Sequence, residues 1–127
     1  MPTSMPVDPN VPRIVVGSFN LNQAAGTYTL LTATGDVYVE ILQCYVKTAA
    51  AGLTSALIET NHTVAKSIVA SALLAAITAD LLMTVVTPAF VLPSTKVIRG
   101  TIVGSGSGGL IYVVCRWQPV TIGATLS

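Results

Sequence analysis

The stretch VIRGTIVGSGSGGLIYVVCRW, Val97–Trp117, decides how this chain is read. It contains a formal G-x-G-x-x-G at Gly104, Gly106 and Gly109, the spacing of a dinucleotide-binding turn. That fingerprint works only when a strand enters the turn and a helix leaves it, because the pyrophosphate rests on the helix's first amides. Here the exit is LIYVVCRW, rich in β-branched and aromatic residues, which reads as a second strand. Only 18 residues follow Gly109, too few to complete a βαβ unit. The stretch therefore reads as two strands joined by a Gly/Ser hairpin tip, with Ile111, Val113, Cys115 and Trp117 on one core-facing side at period two.

Working outward, the same texture fills most of the chain. RIVVGSFNL runs into a turn at NQAAG; TYTLLTA follows and runs into TGD. The longest run is VYVEILQCYVKT, Val37–Thr48. Its two alternating sets, Val37/Val39/Ile41/Tyr45 and Tyr38/Leu42/Cys44/Val46, are both mostly apolar, which predicts an inner strand covered on both faces. LTSALIETN, HTVAKSIVAS, AFVLP and KVIRGTIVG supply further candidates. Short strands every 8 to 12 residues or so, punctuated by Gly, Asn and Pro, predict an all-β sandwich or jelly roll. The Ala/Leu-rich stretch Ala72–Leu82 is open between a short helix and a strand, and Leu81–Thr87 reads as a strand.

The first twelve residues differ. Met1–Pro12 holds four of the seven prolines and no hydrophobic period, so it predicts an extended arm ahead of a single β-sandwich domain, Arg13–Ser127. Proline limits the freedom lost on docking, so Pro6, Pro9 and Pro12, with Val7 and Val11 as small apolar anchors, are the candidate partner-binding residues.

Composition narrows the function. Charged residues are 9% of the chain against 52% hydrophobic, with six Lys/Arg balancing five Asp/Glu. Scattered cations give no footprint for direct nucleic-acid binding. Ordinary soluble domains carry about 25% charge, so the deficit points to surface buried against partners. Ile68–Val86 is apolar for nearly a bilayer's span, but Asp80 within it would cost about 3 kcal/mol at a helix centre and no basic cluster flanks it, which argues against a membrane segment.

Chemistry is sparse. One histidine, His62, sits in the turn-like ETNHTV and reads as a surface loop residue; the NHT triplet inside it reads as a turn. Glu40 and Glu59 could pair across a sugar-binding groove, but Glu40 is better placed to meet a Lys or Arg at a strand edge or subunit contact. Cys44 and Cys115 lie in apolar strands and read as buried free thiols, a disulfide being the alternative. Nothing forms a metal-ligand cluster or a nucleophile motif, so the expectation is a non-enzyme with no cofactor.

GTYTLLTATGDVYVEI (Gly26–Ile41), AGLTSALIETN (Ala51–Asn61) and FVLPSTKVIRGTIVGSGSGGLIYVVCRW (Phe90–Trp117) resemble small jelly-roll-like capsid decoration, or cement, proteins of tailed bacteriophages. The resemblance implies a non-enzymatic clamp on the outer surface of the virion's capsid. Its partners would be the major capsid protein and other copies of itself, as a homotrimer. The alternative class is a tail, fibre or receptor module that binds carbohydrate, which needs solvent-facing Trp or Tyr; here Tyr28, Tyr38, Tyr45 and Tyr112 lie in apolar runs.

Overall fold

A computed structural model describes residues 13–51, 55–73, 78–104 and 108–127. The arm, with Pro6, Val7, Pro9, Val11 and Pro12, lies outside the described residues. The described residues form nine strands and no helix: β1 (Arg13–Asn20), β2 (Gly26–Thr34), β3 (Val37–Ala51), β4 (Ser55–Thr60), β5 (Ser67–Leu73), β6 (Phe90–Leu92), β7 (Val97–Val103), β8 (Gly108–Pro119) and β9 (Thr125–Leu126). They make two antiparallel sheets, ordered β1-β8-β3-β6 and β5-β4-β7-β2-β9.

The pairings β1–β8, β2–β7, β3–β6 and β4–β5 are nested, each joining strands whose numbers add to nine. A long antiparallel ribbon folded at the β4–β5 turn and wrapped on itself produces that nesting, and wrapping adds β3–β8 and β4–β7. This is a jelly roll. Every connection except β4–β5 therefore crosses from one sheet to the other.

That topology corrects the hairpin reading of the glycine stretch. β7 lies between β4 and β2, and β8 lies between β1 and β3, so neither has a free edge to offer the other. Gly104, at φ 88°, follows β7 in one sheet, and Gly109, at φ 120°, stands at the start of β8 in the other. Alternation reports which face of a strand is buried; it does not report the strand's neighbour.

A second correction concerns β3. It is an inner strand of its sheet, but only one face is covered. A bulge between Val39 and Ile41 shifts the phase, so Val37, Val39, Leu42, Cys44 and Val46 all point inward. Tyr38, Ile41 and Gln43 point to solvent. Two apolar half-sets, one on each side of the bulge, looked like two buried faces.

The Ala/Leu-rich segment is neither a helix nor a full strand where it is described. Its first part completes β5, residues 74–77 lie outside the described residues, and Leu82 makes only an isolated bridge to Tyr45. Leu81–Thr87 is thus not a named strand, although Val46 donates to the Leu81 carbonyl at 2.9 Å and Met83 to the Cys44 carbonyl at 2.9 Å. Pro88 cannot donate, but its carbonyl accepts from Leu42 at 3.0 Å. Among the described residues no helix is long and apolar enough to cross a membrane.

The core lies between the sheets. Phe19, Ile111, Val113, Cys115, Val39, Leu42 and Val46 of one sheet meet Leu31, Ile58, Ile98 and Ile102 of the other. Gly100 of β7 makes room for the Phe19 ring: a Cβ there would stand 2.4 Å from Phe19 Cε2. Trp117 packs into the same inner face as Ile111, Val113 and Cys115, as its spacing predicts.

Candidate assembly surface

Among the described residues, Glu40, Glu59 and His62 are each held in a structural contact. Glu40 pairs with Arg116 at 3.4 Å, as expected for it, and Glu59 pairs with Arg99 at 3.4 Å, a contact the sequence did not signal. The two glutamates belong to different sheets and form no acid pair. His62 is half-buried rather than a free loop residue. Its Nε2 faces the Val91 carbonyl at 2.9 Å and so carries the proton, leaving Nδ1 to accept from the buried Thr60 hydroxyl. Thr60 Oγ1 in turn accepts from the Lys66 amide at 3.2 Å. Histidine thus ties β4 to the end of β6, which no local pattern in ETNHTV signals. Asn61 Oδ1 accepts from the Val97 amide at 2.7 Å, so the NHT triplet is a structural turn.

Cys44 and Cys115 sit on the inner faces of neighbouring strands and are free. Burial pushes both thiols up to about 12, with Cys44 adding to the effect on Cys115. A thiol that stays protonated is a packing group, not a nucleophile. Among the described residues no group of three or more His, Cys, Asp or Glu could hold a metal.

What the molecule does present is apolar side chain on a rigid frame. On the outer face of the four-stranded sheet, the register sets Ile14, Arg116 and Ile41 in one row and Val16, Val114 and Gln43 in the next. Ile14 is 71% exposed, Val16 53% and Ile41 47%. Tyr45 and Tyr112 form a third row, and Tyr38 lies beside Val91. Three tyrosines of the apolar runs, Tyr38, Tyr45 and Tyr112, are therefore on this outer face, whereas Tyr28 of β2 packs against the core. Tyr45 donates to an Asp80 carboxylate oxygen, and this bond raises the Tyr45 hydroxyl above its ordinary range.

A second apolar feature stands at one end of the sandwich. Asp36 organises it: Asp36 N–H donates to Thr121 Oγ1 at 3.0 Å, its Oδ1 accepts from Ser94 N–H at 2.8 Å, and its carbonyl accepts from Val120 N–H at 2.8 Å. Gly35, at φ 76°, lies so close to Ala124 that a Cβ would come within 2.7 Å of Ala124 Cβ. The turns 35–36, 93–96 and 120–124 thus brace one another, and Ile122 projects from them fully exposed. An isoleucine held on a braced turn loses little freedom when it enters a pocket.

No family model and no curated protein matches the chain. Among solved structures, it is similar at a TM-score of 0.35 and 14% identity to a chain from "Structure of infectious bursal disease virus Gx strain". The match covers 99% of this chain and 43% of that one.

Proposed function

We propose that this chain is a non-enzymatic structural virion protein, a capsid decoration or cement protein that binds a lattice of major capsid subunits from outside and stabilises it. The observation that carries the reading is the exposed apolar set Ile14, Val16, Ile41, Val91 and Ile122, displayed on a hydrogen-bonded jelly roll with only 9% charged residues. Surfaces of that kind gain free energy when water leaves them, and large apolar exposure on an ordered frame marks an interaction site. The arm Met1–Pro12 adds a strap, with Pro6, Val7, Pro9, Val11 and Pro12 laid against a neighbouring subunit.

The test is co-sedimentation of the purified chain with candidate capsid shells. Binding should change little between 0.1 M and 1 M salt, where the Debye length falls from about 10 Å to about 3 Å and an ion-pair interface would weaken. Removing residues 1–11 should leave the melting temperature nearly unchanged and weaken attachment. A chain that binds no shell, or one released by salt, counts against the reading.

A second reading, a tail or receptor module that binds carbohydrate, draws on one observation, the placement of Tyr38, Tyr45 and Tyr112 on a single outer face. A glycan-binding screen with the folded chain separates the two.

A further inference from the structure

We infer that the free edge of β1 is a pairing site for the same edge of a second copy, joining two four-stranded sheets into one continuous sheet across a two-fold axis. The inference rests on the reading of the chain as an assembly protein and names one partner of that assembly.

The phase of β1 follows from one hydrogen bond. Leu21 N–H donates to the Gly109 carbonyl at 2.9 Å, continuing the register in which Asn20 faces Leu110. In an antiparallel pair, residues that exchange hydrogen bonds alternate with residues that point their N–H and C=O away. The odd-numbered residues of β1 therefore bond β8, and Ile14, Val16 and Ser18 direct both backbone groups to the open side. Among the described residues nothing meets them. The run stops at Asn20, whose carbonyl accepts from Gln23 Nε2 at 2.6 Å.

The other three sheet edges are blunted. β6 is three residues long between Pro88 and Pro93. β9 is two residues long and pairs β2 only at Ala33 and Thr34, and the part of β2 before it is broken by a bulge between Thr29 and Leu31. β5 is met by Val86, whose amide donates to the Ile68 carbonyl at 2.7 Å. Proteins shorten, cover or charge their edges to prevent such pairing, and β1 shows none of these devices across Ile14–Ser18.

A second copy suits this edge better than the chain's own arm, whose four prolines lack the donors that a full strand needs. A two-fold axis at Val16 sets Val16 against Val16 and Ile14 against Ser18. Arg13, the strand's single charge, falls opposite Phe19, so no like charges meet. On the solvent face Val114, beside Val16 in each copy, extends the apolar row across the junction.

The test uses the full chain in sedimentation equilibrium over a concentration series, with Val16→Pro and Val16→Lys. Proline at 16 removes an outward donor, and lysine adds charge at the axis without touching the backbone. The wild-type chain should dimerise, and either variant should raise the dissociation constant by about tenfold or more while staying folded. If Val16→Pro unfolds, Val16→Lys alone decides. Amide exchange should slow with concentration at Val16 and Ser18. A wild-type chain that stays monomeric, or a dimer indifferent to Val16→Lys, overturns the inference. Association through another surface in that experiment leaves the assembly reading standing, whereas a chain that joins neither itself nor a shell removes both.

Discussion

The two edges of the four-stranded sheet solve opposite problems. β1 is regular, eight residues long and, among the described residues, unaccompanied on its outer side. The far edge, from Asp80 to Leu92, is irregular: it bridges β3 at Leu82, reaches across to β5 through Val86, and pairs again only as β6. Irregularity there satisfies backbone groups in both sheets and closes the side of the sandwich. Regularity at β1 leaves a row of polar groups with a defined spacing. A finished edge is thus irregular, and an edge available to a partner is regular.

The largest expected effect removes the interior that both edges share. Cys44 and Cys115 have an ordinary value of 9.0 and are held up to about 12 in the fold. A raised folded value means that the folded chain keeps protons which the unfolded chain gives up. Their contribution is therefore complete below pH 9 and is lost as pH rises from about 9 towards 12. Thermal melts should be flat to about pH 8 and then fall steeply, by several kcal/mol for the pair at the upper end. Cys44→Ala should reduce the slope. A slope unchanged in the double alanine variant would assign it elsewhere.

Next in size is a direct comparison of phases within β1. Val15→Pro removes an amide that bonds β8 and should cost about 3 kcal/mol or more in urea unfolding of the monomer. Val16→Pro removes one aimed outward and should cost far less. Equal losses would contradict the assignment of the open edge.

At the closed edge, Thr60→Val removes the buried hydroxyl that joins His62 to the Lys66 amide, leaving the half-buried imidazole without that partner. A loss of about 1–3 kcal/mol is expected, with faster amide exchange around Val91. The smallest effect should come from Asp80→Asn, which keeps a side-chain acceptor for Tyr45 in an exposed setting. An unfolding midpoint that does not move would place the stability of that edge in its backbone bonds.

Much of the fold could be read from residue alternation. The inward set Ile111, Val113, Cys115 and Trp117 follows from period two, and the Gly/Pro spacing marks the strand ends. Three things could not be read. Strand partners in a nested ribbon are set by long-range closure, so the link after Val103 looked like a hairpin. The bulge beside Glu40 has no residue signature, so one buried face was read as two. In the described parts of the Ala/Leu-rich segment, pairing of Ala72 and Leu73 with β4 and of residues 80–82 with β3 overrides helix propensity. As for the surface, the low charge was legible, but the braced Ile122 turn depends on Asp36, Ser94 and Thr121 meeting from three separate turns. The histidine tie likewise joins residues 29 positions apart.

The nested ribbon also sets an order of events in time. β4 and β5 are neighbours in sequence, whereas Ile14 waits for Arg116, which lies near the other end of the chain. Closing large loops is slow, so folding should take milliseconds to seconds, begin at the central hairpin and reach β1 last. The strand with the open edge would then also be the last to dock, and during synthesis it would emerge first and remain unpaired until nearly the whole chain had followed.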